Sequence, residues 1–260
     1  MKLIQVTDPH LTKPSETLFG IDPAERLALC FADINVQHAD ADLCVITGDL
    51  TCGDESAYAL LRELLSKLAT PWQLLLGNHD NRDNFLRIFP DAKIDANGFA
   101  QHAQEIGGST LLFLDTLEPG IHAGGYCERR QEWLSRELAA SGDRPVYIFM
   151  HHPPLHVGIP SLDAICLMQR DRFKEILAPH KQRIRHIFFG HLHRPVSGTW
   201  DGIPFSGLRG TAHQCWLDFA ARDQPLGSKE PPAYGIILAN ETSTIVHLHD
   251  FLDKGACFPL

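Results

Sequence analysis

The sequence predicts an α/β fold in which two packed β-sheets are flanked by helices. Three observations carry that expectation. Short apolar, β-branched runs alternate with amphipathic stretches of helical spacing, which is the pattern of α/β layers rather than an all-β barrel. The strand-like runs are too many for one narrow sheet. Five of them end in Asp, Asn or His beside Gly or Pro, and functional residues in α/β sheets gather beyond the carboxyl ends of strands.

The elements follow in order. Leu3 to Thr7, Leu43 to Thr47, Trp72 to Leu76, Val146 to Met150 and His186 to Phe189 have the length and composition of buried strands. Thr110 to Asp115, Ile203 to Leu208, Gly235 to Ala239 and Thr244 to His249 are further strand candidates. Asp22 to Gln37 reads as a helix with Pro23 in its first turn, where a missing N–H is harmless. Glu55 to Leu68 reads as a second, capped by Asp54. Arg129 to Ala140 and Gln169 to Ala178 are amphipathic. Gln224 to Pro232 reads as a surface loop, and no repeat or linker interrupts the chain. A single domain over 1–260 is expected, with residues after about 195 adding strands and loops that complete the site and, on family resemblance, an oligomer contact.

Composition narrows the function. The chain has 260 residues, 44% of them hydrophobic, enough for a large core. Its net charge is -9, and no basic stripe suited to a polymeric nucleic acid is present. Arg129-Arg130 and the spread Lys181, Arg183, Arg185 read as solvated faces. The seven Cys are scattered without CxxC spacing, which argues against a zinc ribbon or a disulfide framework and for a cytoplasmic protein. Cys30 and Cys44 read as small buried apolar residues. No apolar run approaches the roughly 18 residues of a membrane span. A cleaved leader would remove Asp8 and His10, so the mature protein is expected to begin at or near Met1.

Those two residues open the set that carries chemistry. Asp8 and His10 stand two apart, so in an extended segment both side chains leave one face. Gly48-Asp49 supplies a carboxylate able to bridge two cations about 3.5–4 Å apart. In Gly77-Asn78-His79-Asp80, Asn78 offers a neutral amide oxygen and His79 a proton donor; Asp80 either orients His79 or caps the next helix. In His151-His152-Pro153-Pro154, His151 emerges directly from the strand as the ligand candidate and His152 as a structural partner. Gly190-His191-Leu192-His193 places two imidazoles on one face. Singly, each has a bland reading as a turn or a surface pair; five in succession do not.

The order Asp-x-His, Gly-Asp, Gly-Asn-His-Asp, His-His-x-Pro, Gly-His-x-His resembles the calcineurin-like metallophosphoesterases over about residues 1–195. Phe149 to Leu155 and Gly210 to Gln214 are similar to the branch holding class III cyclic nucleotide phosphodiesterases and bacterial glycerophosphodiesterases. The resemblance implies a four-layer α/β/β/α sandwich with two mixed sheets. It implies two metal ions sharing Asp49, one completed by Asp8, His10 and His193, the other by Asn78, His151 and His191. His213 enters by the same resemblance as a second candidate, after His79, for contacting substrate.

The ligand set has no thiolate, which suits Fe, Mn, Zn or Co, divalent or mixed-valence. Such ions lower the pKa of a shared water, so that hydroxide can attack near neutral pH, and take up charge on phosphoryl oxygens. With the two carboxylates and that hydroxide, the local charge is about +1, matched to a small phosphodiester. His79 is placed to contact the phosphoryl group and protonate the leaving oxygen. The rivals are a phosphomonoesterase on the same metals, a nuclease disfavoured by charge, and a metal-free scaffold, which missing ligands would have favoured.

Overall fold

The computed structural model describes residues 1–220, 222–256 and 258–259; Cys257 lies outside them. The chain begins with β1 (Lys2–Val6), α1 (Pro23–Gln37), β2 (Leu43–Thr47), α2 (Glu55–Leu65), β3 (Trp72–Leu75) and α3 (Arg82–Ile88). A hairpin of β4 (His102–Ile106) and β5 (Ser109–Phe113) leads to α4 (Glu128–Ala140), β6 (Val146–Phe149), α5 (Pro160–Asp163), α6 (Arg170–Leu177) and β7 (Ile184–Phe189). Then come β8 (Val196–Trp200), β9 (Ile203–Gly207), β10 (Gln214–Cys215), β11 (Gly227–Ser228), β12 (Tyr234–Ala239) and β13 (Thr244–His249).

Two mixed sheets result, ordered β13-β12-β1-β2-β3 and β4-β5-β6-β7-β9-β8. Within them β1, β2 and β3 run parallel, as do β5, β6 and β7. Strand alternation separates the layers. Leu3, Val45 and Leu75 of the first sheet meet Phe113, Tyr147, Phe149 and Phe188 of the second in a dry seam. The opposite faces pack on α1 and α2 through Ile4, Cys44, Leu27 and Leu61, and on α4 and α6 through Leu112, Ile148, Leu134 and Phe173. This is the expected four-layer sandwich. Gln5 bridges the sheets beneath the site, donating to Thr47 Oγ1 and to the carbonyl of Phe189.

Local signals worked where the chemistry was explicit. The Asp22 carboxylate accepts from the N–H groups of Ala24 and Glu25, and Asp54 caps α2 through Ser56. The last turn of α2 tightens into bonds from Lys67 to Leu64 and Leu68 to Leu65, so the helix ends at Leu65 rather than Leu68. The sequence predicts no α3, of seven residues, no α5, of four, no two-residue β10, and neither β4 nor β8, whose faces are only partly buried. The loop from Gln224 to Pro232 contains β11, paired antiparallel with β10. Arg130 departs from expectation. It is buried, donates to the carbonyls of Asp115 and Leu117 and to Glu118, and lies 4.6 Å from the Phe99 ring centroid. Its charge is satisfied from inside rather than by water. Cys30 and Cys44 are fully buried, as read. Among the described residues no helix is long and apolar enough to cross a membrane.

Candidate metal centre

Five of the parallel strands, β1, β2, β3, β6 and β7, deliver the loops that carry the candidate residues to one end of the sandwich. Asp8 follows β1, Asp49 follows β2, Asn78 follows β3, His151 follows β6, and His191 and His193 follow β7. The loops after β1 and β2 stay bonded beyond the strands, with Asp8 N–H donating to Gly48 O and His10 N–H to Asp49 O.

The convergence has a different cause from strand alternation. Asp8, His10, Asp49, His191 and His193 all adopt left-handed backbone, with φ of 51°, 45°, 49°, 67° and 48°. Non-glycine residues hold such angles at a cost of order 1–3 kcal/mol each, and they persist where surrounding structure enforces them. Two glycines make room. Gly48 has φ 91°, and a Cβ there would lie 2.5 Å from His151 Nδ1. A Cβ on Gly77 would collide with Asp49 and stand 2.6 Å from His151 Nε2.

Asp49 lies between two groups of ligands. Its Oδ2 is 3.4 Å from His10 Nε2, its Oδ1 is 3.4 Å from His151 Nε2, and Oδ1 also accepts from the His79 N–H. On the first side Asp8, His10, Asp49 and His193 converge within 4.8 Å. His193 Nε2 lies 3.3 Å from Asp8 Oδ1 and 3.0 Å from His10 Nε2. On the second side Asn78 Oδ1, His151 Nε2 and His191 Nε2 are buried without a hydrogen-bond partner.

Tautomers follow from the neighbours. His151 Nδ1 is 2.7 Å from the Thr47 carbonyl and His193 Nδ1 is 2.7 Å from the His213 carbonyl. A carbonyl only accepts, so each Nδ1 carries a proton, and Nε2 is the nitrogen turned inward, as a lone pair whenever the ring is neutral. Lone pairs and carboxylates thus face one another, and positive charge is required among them. Burial opposes charging of His151, yet the Asp49 carboxylate prevails and holds its pKa at about 9. His191 has no such close partner, and burial lowers it to about 3. Burial works against ionised Asp8 and Asp49 too, but the neighbouring imidazoles hold both below the usual carboxylate range. Buried orphan nitrogens, an orphan amide oxygen and two ionised carboxylates are a donor set that fits two metal ions.

Surrounding groups hold these in place. Asp80 neither orients His79 nor caps α3, whose N-cap is Asn81. Its carboxylate instead accepts from the N–H groups of Leu50, Thr51 and Gly77 and from Tyr58 Oη, tying the Asp49 loop to the Asn78 loop. Burial first, and then the Asp49 charge, raise Asp80 to about 7. His152 is structural, with Nδ1 against Thr116 Oγ1 and Nε2 against the carbonyl of His122. His79 is exposed, its ring 4.9 Å from that of His10. His213 is half-buried, 4.6 Å from the ring of His193, and burial lowers its pKa to about 4. His122 was missed. Its Nδ1 is 3.2 Å from Asn78 Nδ2, but it lies deep in the long loop between β5 and α4, away from the residues that immediately close a strand, so no strand-end motif marks it.

The family model for calcineurin-like phosphoesterases matches residues 1–195, and the chain belongs to that family. It is 40% identical over 264 residues to a "probable cyclic nucleotide phosphodiesterase" of Rhodopseudomonas palustris, covering 100% of this chain and 96% of that protein. It is 30% identical over 237 residues to a "probable glycerophosphodiester phosphodiesterase GpdQ" of Arcobacter nitrofigilis, covering 90% and 86%. Among solved structures, a dimetal phosphatase from Danio rerio shares the fold with a TM-score of 0.72 at 14% identity, covering 97% of each chain.

Proposed function

We propose that the chain hydrolyses small phosphodiesters, cyclic nucleotides or glycerophosphodiesters, at a binuclear metal centre. The observation that carries this is Asp49, whose two oxygens face two separate groups of inward imidazoles. Asp8, His10 and His193 would hold one ion with Asp49, and Asn78, His151 and His191 the other. Fe, Mn, Zn or Co suit these ligands. When bound, the ions acidify water and neutralise charge on phosphoryl oxygens.

The chain's own side chains do the rest. Asn78 Oδ1 is fixed at the edge of the centre, and the Asp49–His79 backbone bond sets where His79 stands. The exposed His79 imidazole contacts the phosphoryl group and holds a proton for the departing alkoxide. His213 lies beside His10 and His193. With two divalent ions and a hydroxide held among Asp8 and Asp49, the local charge would be about +1, which suits a singly charged diester better than a dianionic monoester. The -9 surface disfavours a polyanion. The reading extends to one functional unit over 1–260 in the cytoplasm, forming a homo-oligomer through the region after His193.

The test is kcat/KM for a glycerophosphodiester and a cyclic nucleotide against a matching monoester and single-stranded DNA, in one buffer with one metal. A diester should lead. A monoester or DNA preferred roughly tenfold or more over every diester would overturn the assignment, since that is about 1.4 kcal/mol of transition-state preference.

A further inference from the structure

Beside the metal centre lies a cavity of about 510 Å³ whose walls include Phe19, His213, Gln214, Cys215, Leu226 and Lys229. Its size is ordinary for a small-molecule site. One wall is the ribbon of β10 and β11. The other is a tight turn in which Leu18 and Ile21 exchange both backbone bonds across Phe19 and Gly20. Both central residues have positive φ, 54° and 74°. Such type I′ turns favour Asn-Gly, and a bulky Phe in the left-handed region is an outlier.

What that outlier achieves is the display of a ring. Phe19 is 65% exposed. It meets His213 in a T-shaped contact at a centroid distance of 5.0 Å, and His213 in turn lies 4.6 Å from His193. Two ring-to-ring steps therefore lead from the phenyl group to a residue of the metal centre. The Lys229 ammonium lies beside Gly20, and no carboxylate among the described residues pairs with it.

We propose that this cavity is the subsite for a nucleobase-sized aromatic group of the substrate, and that Phe19 is the residue that selects it. The proposal rests on the phosphodiesterase reading and narrows it towards cyclic nucleotides. A phosphoryl group at the metal centre leaves a ribose to pass His213 and a base to reach Phe19. A planar base offers a π-face to the phenyl ring, whereas glycerol and ethanolamine offer none, and base–aromatic stacking is strong enough to discriminate.

Phe19→Asn removes the ring and suits the turn, so its melting temperature should equal or exceed that of the unaltered chain. In the metal-loaded enzyme its kcat/KM for cyclic AMP should fall roughly ten- to hundredfold, mainly through KM, while glycerophosphoethanolamine changes by less than about threefold. Phe19→Tyr should retain both activities. AMP binding, read by calorimetry, should weaken in Phe19→Asn by a similar factor while ribose phosphate binding is unchanged. Equal losses on both substrates, or AMP affinity indifferent to Phe19, would overturn the subsite and leave the phosphodiesterase reading intact. Phe19-dependent AMP binding in a chain that hydrolyses no diester would support the subsite and refute the reading on which it was built.

Discussion

The two halves of the metal centre are built differently. The half around His10 and His193 contains Asp8 and shares Asp49, so two carboxylates face its ion site, and its atoms already lie within contact of one another. The half around His151 and His191 shares only Asp49, and its third group is the neutral amide of Asn78. The first half is closed and fully buried. The second opens to solvent at Asn78, where His79 and His122 are exposed. On the proposed function, charge should make the first half the tighter site, while the exposed His79, beside both Asn78 and His10, and the half-buried His213 beside His193 form the edge that substrate would reach.

The largest effect should come from the residue the halves share. Asp49→Ala should lose much of the metal from both, whereas His10→Ala should chiefly empty the first half. Elemental analysis checks this, and two ions retained in Asp49→Ala would break the comparison at its centre. Next is the open edge. His79→Ala should slow diesters with alkoxide leaving groups on the order of 10²–10⁴-fold, and aryl diesters far less. Equal losses, measured as kcat on both kinds of substrate, would leave His79 a binding role alone.

The smallest effect sharpens the charge argument. Asn78→Asp gives the second half a second carboxylate and should tighten its ion roughly tenfold or more, because ligand charge tunes affinity. The same change lowers the local charge by one, so the diester KM should rise. Metal titration and steady-state kinetics on the variant read the two effects separately. A weaker ion, or an unchanged KM, would show that geometry rather than charge separates the halves.

Much of this was legible in the sequence because residues of ligand type close strands of defined composition. Asp8, Asp49, Asn78, His151, His191 and His193 all lie where the strand-end pattern put them. The reason for their convergence was not legible. Alternation along an extended segment seemed to bring Asp8 beside His10, yet left-handed backbone does so, and such angles leave no mark on non-glycine residues. Asp80 illustrates a second limit. A carboxylate that ties two loops and a helix together looks, in sequence, like a helix cap. Arg130 and His122 illustrate a third, since partners such as Glu118 and Asn78 lie on other loops and only tertiary contact reveals them.

The most direct measurement is metal content per chain taken together with diester turnover in the same preparation. Two ions per chain at full turnover, none of either after chelation, and recovery of both on adding Mn or Co are the expected results. Full turnover in a preparation verified free of metal would contradict the central claim.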